Sequence, residues 1–304
     1  MFLLKQMDRF FWAFISLGVI FGFLFPSFMG QFEPYVLYIV MGIIGVLFLK
    51  VDIVSVVSHV KKPLFLLYVL AFNLLVIPLI CFFTYFQFFE ENLAMALLLL
   101  SALPAGVSSA AFTDIMKGKT SLGLTIVIFT NLLAPLTIPL LFWMVFTTTI
   151  ELDYLSLIKD MSIIMIVPFL VAKCLKHVIL KPIIHKITDY YDVMILSLLA
   201  MMMMITIGSQ AEFVMQNISS QLKTIGILFS AFFLFQVLGY VSVFWVNKGE
   251  KVAVSNSKMI MNNILGIVLG LAFFPPEVSH IIILSLIPWG TMIIVKHWYK
   301  KYLP

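Results

Sequence analysis

The chain has 304 residues, of which 62% are hydrophobic and 11% charged, and its mean hydropathy is +1.13. A soluble domain of this length cannot bury that much apolar surface, so the sequence reads as an all-α polytopic membrane protein. The sequence has no phosphate-binding loop, HExxH or nucleophile elbow, which argues against an ATP-driven pump and most membrane hydrolases, and no paired acid–base or metal cluster that another membrane enzyme would need inside its bundle, so no enzyme is expected.

The first apolar run, 10–28, follows Lys5 and Arg9 as a signal peptide would. It is too long for an h-region and lacks a small-residue cleavage site, so it reads as span 1. Further runs lie at 35–50, 64–86, 93–116, 121–147, 157–180, 191–210, 222–246, 253–273 and 279–297. They make ten transmembrane helices of about bilayer length. "GVIFG" in span 1 (Gly18, Gly22) and "GIVLG" in span 9 (Gly266, Gly270) read as small-residue packing faces. Cys81 and Cys174 sit in apolar runs as small core residues, and the histidines lie at membrane borders without ligand spacing, so no metal site is expected. The "MMMM" run at 201–204 is core filling. Asn217-Ile-Ser219 matches a glycosylation sequon of the kind that arises by chance.

Seventeen of the nineteen Lys and Arg residues fall in the loops on one side of these spans, Lys258 and Lys296 among them. The positive-inside rule then puts both termini in the cytoplasm of a cell-membrane protein. This bias also accounts for the net charge of +5, so no nucleic-acid partner is implied. Ten spans divide into halves 1–150 and 151–304, and five spans per half give the halves opposite topology. Such inverted repeats are the hallmark of many secondary transporters, whose site lies where discontinuous helices meet.

Span 4 reads "LPAGVSSA" and span 9 reads "SNSKMIMNNILG", each the fourth helix of its half. Pro104 removes a backbone donor and Gly106 loosens the helix. Unwound backbone in a membrane is tolerated only against protein or a wet cavity. Paired breaks therefore predict a binding site, with Gly106, Ser108, Ser109, Asn262 and Asn263 as the substrate-binding residues. Their helix-end amides are expected to meet a carboxylate. Other intramembrane polar residues are Asn73, five before Pro78, then Thr125, Thr130 and Asn131 ahead of "APLTIP", Thr206, Ser209, Gln210 and Gln236. Most such groups are packing glue. Lys258, beside Asn256 and Ser257, has two readings: a site residue, or a side chain that snorkels to cytoplasmic water.

At "LPAGVSSAAFTDIMKGKTSLGLTIVIFTNLLAPLTIP" and "MNNILGIVLGLAFFPPEV", with weaker support from "NLLVIP", the sequence resembles the bile acid:sodium symporter family. The resemblance implies ten helices, with panel helices 1, 2, 6 and 7 and core helices 3–5 and 8–10, and with helices 4 and 9 broken and crossing. It also implies import of organic anions with sodium. Ser109 matches a sodium-binding serine of the family, but Ala110 stands at the asparagine that follows it. Gly123 and Val127 stand at hydroxyl positions, and Asn73 stands at a glutamine. The family's acidic residue falls at Asn256 or Ser257, and its Gln-Asn pair becomes Met261-Asn262. Sodium is a hard cation that wants several oxygens, so a site lacking its carboxylate and facing Lys258 should bind it poorly. Asn73, Ser109, Asn256, Ser257 and Lys258 are then the ion-coupling residues or their replacement. A tethered ammonium would fill the cation's place, with proton coupling as a further option.

The expected function is secondary transport of a small organic anion, a carboxylate or bile-acid-like solute, by alternating access. Sodium coupling would be weak, altered or lost, and the partners would be the anion and the bilayer. A non-transporting sensor or scaffold that kept the fold is the alternative from another class. Metalloid-anion efflux, which a related family performs with a cysteine in span 4, ranks below both because span 4 has no cysteine.

Overall fold

The computed structural model describes residues 17–18, 20–50, 62–146, 153–176, 190–216 and 218–299. Among these every regular element is helical. In chain order the helices are α1 (Pro26–Gly30), α2 (Val36–Lys50), α3 (Pro63–Ala71), α4 (Ile77–Thr84), α5 (Glu91–Ala102), α6 (Val107–Ile115), α7 (Thr120–Phe146), α8 (Tyr154–Cys174), α9 (Tyr191–Gln216), α10 (Ile218–Val241), α11 (Lys248–Met259), α12 (Asn263–Phe273), α13 (Pro276–Leu284) and α14 (Leu286–Tyr299). A π turn, Phe72–Val76, joins α3 to α4. Four helical stretches among the described residues are long and apolar enough to cross a membrane: Pro63–Phe88, Thr120–Phe146, Tyr154–Cys174 and Gln221–Val241. Shorter apolar helices include Glu33–Val46, Glu91–Ala102, Val193–Ser209 and Asn263–Phe273. The start of span 1, the basic residues Lys5, Arg9, Lys61, Lys181, Lys186, Lys300 and Lys301, and Asn217 of the sequon lie outside the described residues.

The chain forms two compact units, Met1–Asp52 with Ser162–Ser219, and Ile53–Met161 with Ser220–Pro304. Each unit draws helices from both sequential halves. In the first, the "GVIFG" face does what its spacing predicts. A Cβ on Gly18 would lie 2.7 Å from Ala200 O, and one on Gly22 would lie 2.8 Å from Met204 O, so the two backbones approach as only glycine allows. Phe48 meets Phe169 edge-on at 5.1 Å in the same unit.

In the second unit α5 is buried continuously from Ala94 to Ala102, and α11 from Val252 to Met259. A short helix buried all round is a core element. Apolar side chains such as Leu67, Leu136, Phe233 and Phe244 are exposed, as suits a surface that lipid covers. Span 10 is not one helix: α13 stops at Leu284 and α14 starts at Leu286, with Ser285 fully buried between them. Pro288 has no N–H to offer the Leu284 carbonyl four residues back, so the ladder fails there.

Three expectations need correction. Lys296 was counted among the cytoplasmic charges but is 0% exposed. His280 was expected at a membrane border but is buried. Cys174 was read as a core residue but is exposed, whereas Cys81 is buried.

Candidate functional site

Both interrupted segments have the same build. A twelve-residue helix, α5 or α11, runs to the break, an extended link follows, and a second helix, α6 or α12, leads away. The two links cross as a single antiparallel bridge between Ala105 and Met261. Gly106 N donates to Ile260 O at 2.8 Å, and Asn262 N donates to Pro104 O at 2.7 Å. The unwound backbone thus satisfies itself across the crossing, as a buried link must. The helix α7 staples it. Ala105 N donates to Thr130 Oγ1 at 3.1 Å, and Asn131 Nδ2 donates to Ala105 O at 2.8 Å. Asn262 Nδ2 donates to Asn131 Oδ1 at 3.3 Å, while Asn262 Oδ1 caps α12 by accepting from Leu265 N at 3.2 Å.

Gly106 and Asn262 therefore meet at the crossing. The predicted run of free amides is largely spent, however. Ser109 N donates to Gly106 O, Asn262 N to Pro104 O and Asn263 N to Met261 O. The Asn263 side chain turns to Ser285, with Nδ2 donating to Oγ at 3.3 Å, and its Oδ1 lacks a partner among the described residues. Ser108 is half-buried. The helix α6 begins at N-cap Gly106 with no side-chain cap, which leaves its positive end uncovered by its own chain.

Lys258 does not snorkel. Its side chain is 3% exposed, and its ammonium donates to Asn73 O at 2.6 Å and to Ser101 O. Both carbonyls are free for a local reason. In the π turn the N–H of Ile77 goes to Phe72 O instead of Asn73 O. The next candidate donor for Asn73 O is Pro78, which has no N–H. Ser101 O would pair with Ala105 N in a continuous helix, but that N–H is held by Thr130. The ammonium thus sits at the negative end of α5, where a cation is favoured. The Phe235 ring lies beneath it, 5.9 Å from centroid to Nζ.

Asn256 and Ser257 face different neighbours, which bears on the one-residue ambiguity between them. Asn256 Nδ2 donates to Thr113 Oγ1 at 3.1 Å, and Thr113 in turn donates to Ser109 O at 2.7 Å. Ser257 Oγ accepts from Asn73 Nδ2 at 3.3 Å. The five expected ion-site residues therefore form two groups, Asn73–Ser257–Lys258 and Ser109–Asn256, the second joined through Thr113. In the second, Ser109 Oγ and Asn256 Oδ1 are buried and lack partners among the described residues. Sequence reasoning missed Thr113, the backbone role of Ser101, and the stapling role of Thr130 and Asn131. Thr130 and Asn131 stood out as intramembrane polar residues, but their partner, the Ala105 backbone, lies 25 and 26 residues away.

Among the described residues no group of three His, Cys, Asp or Glu could hold a metal ion. Discontinuous helices whose broken ends meet within the bundle are the building plan of many secondary transporters. A sequence model of the sodium bile acid symporter family matches residues 34–217. That is more than half of the chain, and the protein belongs to this family of membrane transporters. The match ends before α11 and α12, so Lys258, Asn262 and Asn263 lie outside it. No curated protein matches the chain.

Proposed function

We propose that the protein is a cell-membrane secondary carrier for a small organic anion, working by alternating access, with Lys258 as a tethered cation in place of a coupling sodium. Both termini are assigned to the cytoplasm from the charge bias of the loops. The carrying observation is the Lys258 ammonium on the carbonyls of Asn73 and Ser101, which a π turn and a helix break leave free. Carbonyl oxygens at a helix C-terminus are what a bound cation would take. The anion is assigned to the opposite ends of the crossing. There the uncapped start of α6 offers its dipole and remaining amides and Ser108 its hydroxyl, while Asn262 and Asn263, whose Nδ2 groups donate to Asn131 and Ser285, would turn from those partners to reach the anion.

A sodium-coupled reading is favoured by a separate observation, the partnerless Ser109 Oγ and Asn256 Oδ1. Asn73 Oδ1 is the third expected ion-site oxygen without a partner among the described residues, and three neutral oxygens without a carboxylate make a weak sodium site, so this reading ranks second. Uptake of a panel of labelled carboxylates into proteoliposomes, with sodium and proton gradients imposed separately, tests both. The expected result is uptake that sodium does not change and that Lys258→Gln impairs in folded protein. Steep sodium dependence in the wild type would overturn the tethered-cation reading and favour the second.

A further inference from the structure

The mechanism above leaves a second buried ammonium unused. Lys296 comes from α14, is 0% exposed, and donates to Ser255 Oγ at 2.8 Å. The Ser255 hydroxyl is fully buried too and donates to Gln236 O of α10 at 2.9 Å. A lysine buried so completely with its hydrogen bond to one neutral oxygen is costly, and fixing a specific arrangement is one reason to retain such a group. The place it fixes is the face of α11 that carries Lys258. Ser255 and Lys258 are three residues apart and share one side of the helix. Gly239 of α10 packs onto both. A Cβ there would lie 3.1 Å from Ser255 Cα and 3.1 Å from Lys258 Cβ. Phe235, which lies under the Lys258 ammonium, is the neighbour of Gln236 in the chain.

We infer that Lys296 is a positioning residue for Lys258. Through Ser255 and the Gln236 carbonyl it sets the rotation of α11 against α10, and so holds the Lys258 ammonium on Asn73 O and Ser101 O. Without Lys296 or the Ser255 hydroxyl, α11 is free to rotate or slide on Gly239, and Lys258 leaves its carbonyls part of the time. This inference rests on the assignment of Lys258 as a tethered cation, and the test separates failure of one from failure of the other.

The test is reductive methylation of the purified full chain with formaldehyde and dimethylamine-borane, with the rate at each lysine read by mass spectrometry. Lys159 of α8 and Lys223 near the start of α10, both exposed, serve as internal references. In the wild type Lys258 should react far more slowly than either. In Lys296→Met and in Ser255→Ala, Lys258 should react at least about tenfold faster, as loss of one charge-assisted hydrogen bond implies, while Lys159 and Lys223 keep their rates. Ser255→Ala keeps the test valid if Lys296→Met fails to fold, because it removes only an oxygen. Unchanged protection of Lys258 in folded Ser255→Ala would overturn the positioning role. Wild-type Lys258 reacting as fast as Lys159 would instead overturn the tethered-cation assignment beneath it.

Discussion

Gly106→Ala is the sharpest perturbation of the crossing. Gly106 has φ −73° and ψ 150°, which any residue adopts, so glycine is needed there for space and not for its dihedral freedom. An added Cβ would lie 2.9 Å from Met261 O, 3.2 Å from Ile260 O and 3.2 Å from Met261 C. All three are backbone atoms, so no side chain can rotate away, and the links must part by several tenths of an ångström. Overpacking of this kind costs about 1–3 kcal/mol. The displacement also strains the bridge bonds of 2.8 and 2.7 Å, and leaving either group unpaired costs about 1–3 kcal/mol more. The expected destabilisation is roughly 2–6 kcal/mol, read as a shift in the unfolding midpoint of purified protein titrated with SDS in mixed micelles. Gly226→Ala is the control. Nothing lies within 4 Å of a Cβ there, and it sits within α10, so alanine should stabilise by up to about 1 kcal/mol. If Gly106→Ala unfolds at the same point as the wild type, the bridge is not the close contact described and the reasoning fails.

Thr130→Val keeps the shape of the side chain but removes the acceptor of Ala105 N. It should cost about 1–3 kcal/mol for the orphaned donor in the same unfolding assay. A value near zero would mean that the link finds another partner. Glu250→Gln removes the ion pair with Lys119 at 2.8 Å and the longer one with Lys62 at 3.9 Å. Because the lysines are 65% and 49% exposed, the loss should be no more than about 1 kcal/mol and should shrink as salt is raised. A salt-independent loss would point to the buried carboxylate's own setting at the start of α11.

The breaks themselves were legible in the sequence. Pro104 and Gly106 mark one, and Asn262, which caps the helix that begins at Asn263, marks the other, because proline chemistry and asparagine capping are local. The destination of Lys258 was not legible, since its partners are 157 and 185 residues away in the chain. Part of the signal was present even so. Pro78 stands five residues after Asn73, and a proline at that spacing is what denies Asn73 O its π-turn donor. Lys296 was misread for a related reason. Near a chain end a lysine counts toward the cytoplasmic charge, and only packing reveals that it turns inward to Ser255. The break at Ser285 escaped because its cause, Pro288, lies within a run that hydropathy alone scores as continuous.

Four helix ends meet at the crossing, and their electrostatics divide the work. The carboxyl ends of α5 and α11 favour a cation, and the amino ends of α6 and α12 favour an anion. Ser101 and Lys258 hold equivalent places, each the penultimate residue of its twelve-residue helix, yet only one is charged. The lysine of α11 reaches across to the carbonyl of its counterpart in α5. This arrangement has a thermodynamic consequence. A diffusible ion stabilises the state that binds it by an amount that grows with the ion's concentration, and that dependence lets a gradient drive a cycle. A cation attached to the chain is always present at its site, so its contribution is the same whatever the sodium concentration on either side. On the tethered-cation reading Lys258 occupies Asn73 O and Ser101 O, so no sodium gradient would act through those two carbonyls. Any coupling ion would then bind elsewhere, and Ser109 Oγ, Asn256 Oδ1 and Asn73 Oδ1 are the buried oxygens of the predicted ion site that lack a partner among the described residues. The driving force would otherwise come from the anion's own gradient, or from a proton carried by an amine.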